Sequence, residues 1–124
     1  MSATEMPQPI VVWSEIPVSD INKAVDFYNS VFDWQMTIDS TSGPNPMAML
    51  GGVMNTIGCN LYEGPTGTGS TIHIAVPDSV EAAADRCRAA GGEVLGDVIE
   101  IPAGRFAYAK DLDGNSLGLF QAAA

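Results

Sequence analysis

Apolar and polar residues alternate from Ile10 to Val18, which predicts a strand with a Val12, Ser14, Ile16, Val18 face and a Val11, Trp13, Glu15, Pro17 face. The period then changes. Ile21, Ala24, Val25, Tyr28, Val31 and Phe32 recur at intervals of three and four, the buried stripe of a helix that Ser19 or Asp20 can cap and that should end near Phe32. Further strands are expected at 34–38, 47–50 and 56–63, divided by a Gly, Pro, Asn and Ser loop at 40–46 and by Gly51 and Gly52. Residues 1–9, with two prolines and no periodicity, read as an arm.

The order then returns. After GPTGTGS at 64–70, a linker by composition, a strand is expected at 71–76 and a helix opened by Asp78 or Ser79. Its stripe is Val80, Ala83, Ala84, Cys87 and Ala90, and Gly91 with Gly92 supplies a left-handed stop. Strands follow at 93–95, 106–110 and 116–121, the last two joined by the hairpin signal DLDGN. An offset of 58 residues sets Glu15 on His73, Ile16 on Ile74, Val18 on Val76, Asp20 on Asp78, Ala24 on Ala82, and 60–63 on 118–121. The prediction is an α+β fold of two tandem βαβββ repeats forming a curved mixed sheet around a cup-shaped cavity. The repeats run 10–63 and 71–121, within one domain at 10–122.

Composition narrows the function classes. With 46% hydrophobic and 16% charged residues in 124, the chain suits one compact domain and no disordered tail. Five basic residues against fifteen acidic give a net charge of −10, which repels nucleic acid and anionic membrane surfaces. No apolar run approaches the roughly 18 residues of a membrane span, and no secretory signal opens the chain, so the expected compartment is the cytoplasm. Cys59 and Cys87 are then reduced thiols, with no CxxC spacing. DLDGN is a turn and not an EF-hand, because the twelfth position counted from Asp111 is Ala122.

Three segments, EIPVSDINKAVDFYNSVFDW, HIAVPDSVEAAADRCRAAGGEVL and KDLDGNSLGLF, carry a family resemblance covering about residues 10–121. They resemble the vicinal oxygen chelate superfamily, the glyoxalase, bleomycin-resistance and extradiol dioxygenase group. The resemblance implies a cup in which metal-using members hold an ion with four residues. Those positions fall here on Trp13, Thr71, Asn60 and Gly118. Indole and glycine offer no ligand, threonine seldom does and asparagine is a weak neutral donor, so no metal is expected at this set.

Glu15 and His73 lie two residues beyond Trp13 and Thr71, hence on the same strand faces, and are matched by the 58-residue offset. They are the catalytic candidates, a carboxylate and an imidazole placed to face each other across the cup and move a proton or orient a substrate. The competing readings make His73 a packed interior histidine with Glu15 its partner or solvated, or make the two substitute ligands for a divalent metal. Trp13, Asn60, Tyr62, Thr71, Arg105 and Tyr108 are the candidate ligand-binding residues, Arg105 as an anion contact if it turns inward. Met36, Met47, Met49 and Met54 are adaptable lining or plain core. The leading expectation is a metal-independent glyoxalase/bleomycin-resistance-like protein that binds a small organic molecule, by analogy as a homodimer. The alternatives are a metal-dependent lyase, isomerase or dioxygenase, and a dimeric interaction module without catalysis.

Overall fold

The computed structural model describes residues 11–41, 45–50, 57–67 and 69–123. The expected arm, Ile10, Gly51, Gly52, Met54 and Thr56 lie outside the described residues. The chain divides into two compact units, with boundaries between Val12 and Trp13 and between Thr71 and Ile72.

The N-terminal half contains β1 (Val11–Val18), α1 (Ile21–Phe32), β2 (Ile38–Asp39), β3 (Met47–Leu50) and β4 (Gly58–Glu63), with the strands ordered β2-β3-β4-β1. β1 runs parallel to β4; the other two pairs are antiparallel. Alternation divides the residues as the sequence predicts. Ile16, Val18, Ala48, Leu50 and Leu61 pack under Ile21 and Val25 of α1, and Ala48 and Leu61 are fully buried. Each large aliphatic side chain withdrawn from water this way contributes about 1.5–3 kcal/mol.

α1 starts where two side chains take its first amide hydrogens: Asp20 accepts from Lys23 N at 3.1 Å, and Glu63 at the end of β4 accepts from Ile21 N at 3.1 Å. It stops at Asp33, whose φ of 57° lies in the left-handed region, and Trp34 N donates back to Asn29 O at 3.2 Å. Asn29 then holds Met36 by both backbone groups, at 2.8 and 3.2 Å. With those groups engaged, residues 34–37 do not join the sheet, and β2 is two residues long instead of the expected 34–38.

The C-terminal half contains β5 (Thr71–Ala75), α2 (Val80–Ala89), β6 (Glu93–Ile101), β7 (Gly104–Lys110) and β8 (Ser116–Ala122), with strands ordered β5-β8-β7-β6. β5 is parallel to β8, and the two hairpins are antiparallel. β6 is much longer than the expected 93–95. Gly96, with φ of 70°, opens an irregularity between Leu95 and Ile99 that shifts the register and hides the later residues from an alternation reading. The expected turn at DLDGN is satisfied internally, since the Asp111 carboxylate accepts from Asp113 N and Asn115 N, both at 2.9 Å.

The halves share an α+β pattern, and the strands keep the 58-residue offset: Glu15 pairs with Asn60 as His73 pairs with Gly118. The helices do not. Ser79 caps α2 where Asp20 caps α1, an offset of 59, so one residue is gained between strand and helix. The brace survives the slip, because Gln121 accepts from Val80 N at 3.1 Å just as Glu63 does from Ile21 N.

Candidate functional site

On the N-terminal sheet, register puts Trp13, Glu15 and Pro17 of β1 on one face with Asn60 and Tyr62 of β4 and Met47 and Met49 of β3. This is the face opposite the α1 core. There the Trp13 indole Nε1 donates to Asn60 Oδ1 at 2.6 Å, and Asn60 is only 7% exposed. Tyr62 lies half-buried two residues on, its phenol pushed up by burial and by the Glu15 charge. Cys59 points to the other face. Burial raises its thiol, the Ser14 hydrogen bond opposes that, and Glu15 raises it further, so it remains a protonated packing group.

On the C-terminal sheet, His73 pairs with Gly118 on a face shared by Phe106, Tyr108 and Phe120. The imidazole is 3% exposed and sits among three rings, with centroids 4.9 Å from Phe106, 5.8 Å from Tyr108 and 6.4 Å from Phe120. Its position depends on Gly118, because any Cβ there would collide with the ring. Thr71 is buried and Tyr108 half-buried.

Arg105 lies on the other face of this sheet, beside α2. Its guanidinium donates to Glu81 at 2.6 Å and Glu100 at 2.9 Å, which hold it firmly protonated. Glu15 and His73 thus each occupy the helix-free face of their own half.

Two features escaped the pattern reading. Val31 and Phe32, assigned to the buried stripe of α1, are 55% and 51% exposed, because a two-residue β2 leaves the last helical turn little to pack on. Phe27, Tyr28, Phe32 and Trp34 instead form a ladder of ring contacts at 5.4, 6.2 and 4.5 Å, and Trp34 borders a groove of about 290 Å³ with Met36, Met49 and Leu50. The other feature is the Trp13–Asn60 bond. Only the parallel β1–β4 register, with Gly58 opposite Trp13, brings an indole within reach of that amide.

The sequence profile of the Glyoxalase/Bleomycin resistance protein/Dioxygenase superfamily matches residues 10–119. The chain belongs to this superfamily. No curated protein matches the chain. Among solved structures, a glyoxalase/bleomycin resistance protein/dioxygenase superfamily member from Vibrio splendidus 12B01 is 16% identical with a TM-score of 0.63, covering 92% of this chain and 99% of that one. Methylmalonyl-CoA epimerase from Mycobacterium tuberculosis is 18% identical with a TM-score of 0.62, covering 100% and 94%. The Streptomyces coelicolor epimerase in complex with 2-nitronate-propionyl-CoA is 21% identical with a TM-score of 0.59, covering 92% and 97%. At such identities the likeness shows the fold.

The four positions that the superfamily resemblance assigns to a metal do not fit one here. The Asn60 oxygen is taken by the indole, Trp13 has no lone pair to give, and the space at Gly118 is filled by an imidazole ring. Among the described residues, no group of three or more His, Cys, Asp and Glu could hold an ion. No helix among them is long and apolar enough to cross a membrane.

Proposed function

We propose that this superfamily member binds a small organic molecule on the helix-free face around Trp13, Glu15, Asn60 and Tyr62, without a metal at the superfamily's four ligand positions. One observation carries the reading: the 2.6 Å Trp13–Asn60 bond spends two of those positions on each other. In the C-terminal half Thr71, His73 and Tyr108 are the candidate binding residues, and Glu15 and His73 are the proton-transfer candidates, each of its own half. Residues 10–122 act in this reading as one domain.

Thermal-shift measurements test it. Chelator-treated protein should be stabilised by a subset of small neutral aromatic and carbonyl compounds. A shift seen only after a divalent metal is restored would replace this reading with metal-dependent lyase, isomerase or dioxygenase chemistry.

The exposed end of α1 supports a homodimer. Phe27, Val31, Phe32 and Trp34 are 41–59% exposed, which presents on the order of 500 Å² of apolar surface, the upper end for a monomer. Two such patches reach about 1,000 Å², the lower bound of a specific interface. Asp33 is the only charged residue between 27 and 36, so copies carrying −10 each can meet there with least repulsion. Sedimentation should show a dimer at micromolar concentration that Phe32→Glu converts to monomer; a monomeric parent protein would remove this part of the proposal.

A further inference from the structure

We infer that Gly96 and Asp97 form a guard on the outer edge of β6, two surplus residues that keep a second copy of the chain from adding its own β6 there. β6 is the last strand in the order β5-β8-β7-β6, so among the described residues only β7 pairs with its backbone. The strand is nine residues long, and five of them are valine, leucine or isoleucine. An open edge of that length and composition is a template for another strand. In the N-terminal half the edge strand β2 has two residues, too few to serve as one.

The ladder exposes the surplus. Glu93, Val94 and Leu95 lie opposite Lys110, Ala109 and Tyr108, and Ile99, Glu100 and Ile101 lie opposite Phe106, Arg105 and Gly104. Four steps on β6, from Leu95 to Ile99, therefore answer two steps on β7, from Tyr108 to Phe106, and two residues of β6 are left over. Gly96, with φ of 70°, has open space where a Cβ would stand, so the backbone turn and not crowding asks for glycine. Asp97 is exposed at the break, beside a cleft of about 210 Å³ that Glu81 and Asp85 of α2 also line. Of the three carboxylates on β6, Glu100 is ion-paired with Arg105 and Glu93 lies opposite Lys110, whereas Asp97 is in no ion pair among the described residues. The position of that charge matters. An antiparallel pair of β6 strands using the full Glu93–Ile101 length would centre on residue 97. It would match Leu95 of each copy with Ile99 of the other, an apolar pair on the face of Phe106 and Tyr108, and would set Asp97 directly against Asp97. Like charges oppose that register, and the surplus residues interrupt its hydrogen bonds at the middle. Ile99 and Ile101, 39% and 41% exposed, are the surface that such a pairing would cover.

The test deletes Gly96 and Asp97 together, which leaves each paired β6 residue opposite its present β7 partner, in a Phe32→Glu background so that association through the end of α1 does not contribute. Sedimentation should show the deletion variant associating at a concentration at least about tenfold below that of the Phe32→Glu chain. Asp97→Val in the same background keeps the backbone break and loses the charge, and should shift in the same direction by less. Adding Ile99→Lys to the deletion variant should restore the behaviour of the Phe32→Glu chain. A deletion variant that keeps its near-ultraviolet circular dichroism and sediments as the Phe32→Glu chain does overturns the inference, as does association that Ile99→Lys leaves in place. If the deletion abolishes the folded dichroism signal, Asp97→Val decides, and sedimentation identical to that of the Phe32→Glu chain overturns the inference.

Discussion

At the middle of the last strand of each half, one position is used in opposite ways. In the N-terminal half it is Asn60, a side chain pinned by an indole; in the C-terminal half it is Gly118, an absence that lets the His73 ring lie across the strand. The backbone register around the two is the same to the residue. A duplicated fold can therefore keep its ladder and exchange its chemistry by moving bulk from one strand to its neighbour. A hydrogen-bonded polar pair occupies the Trp13–Asn60 side, and aromatic packing the His73 side.

The comparison breaks most severely at Gly118. Gly118→Ala drives a methyl group into a fully packed imidazole, and should cost about 3 kcal/mol in urea denaturation, while a Gly118→Ala, His73→Ala double variant should recover much of it. Next comes Asn60→Ala, which orphans the partly buried indole N–H and should cost about 1–3 kcal/mol. A smaller effect of opposite sign is expected at Asp33, whose left-handed backbone suits glycine: Asp33→Gly should stabilise by about 0.5–1 kcal/mol.

The halves should also differ in their response to pH. Asp78, Glu81 and Asp111 are held below their ordinary values, by Arg86, Arg105 and Asn115 respectively. Their contribution is present above the ordinary carboxylate range and is lost as pH falls through the lowered values. Cys59 and Tyr62 are held above theirs, chiefly by burial. Their contribution is complete at neutral pH and is lost as pH rises through the raised values, beyond about 9–10. Stability profiles should accordingly flatten at the acid end in Asp111→Asn and at the alkaline end in Tyr62→Phe; an unchanged alkaline limb in Tyr62→Phe would remove Tyr62 from that effect.

Periodicity carried most of the fold. The two faces of β1, both helices and the closing hairpin follow from alternation, stripes and an Asp-Gly turn, because each is a local property of the chain. What it missed depended on side-chain bonds to the backbone and on a break in strand register, neither of which alternation records. β2 shrank because Asn29 engages Met36, and β6 ran on because Gly96 shifts its register. At the site, the individual residues were legible but not their relations. Trp13 and Asn60 stood out as poor metal ligands, yet nothing in their spacing announced that they bond to each other. Gly118 read as a lost ligand and is a made space. Arg105 was visible as a rare cation, and only the packing of α2 and the β6–β7 pairing show Glu81 and Glu100 holding it.

Elemental analysis of the protein purified without chelator bears most directly on the claim that hydrogen bonding and packing have replaced the superfamily's metal set. Transition metal far below one equivalent per chain is the expected result. One equivalent per chain, falling away in Asn60→Ala or His73→Ala, would contradict it.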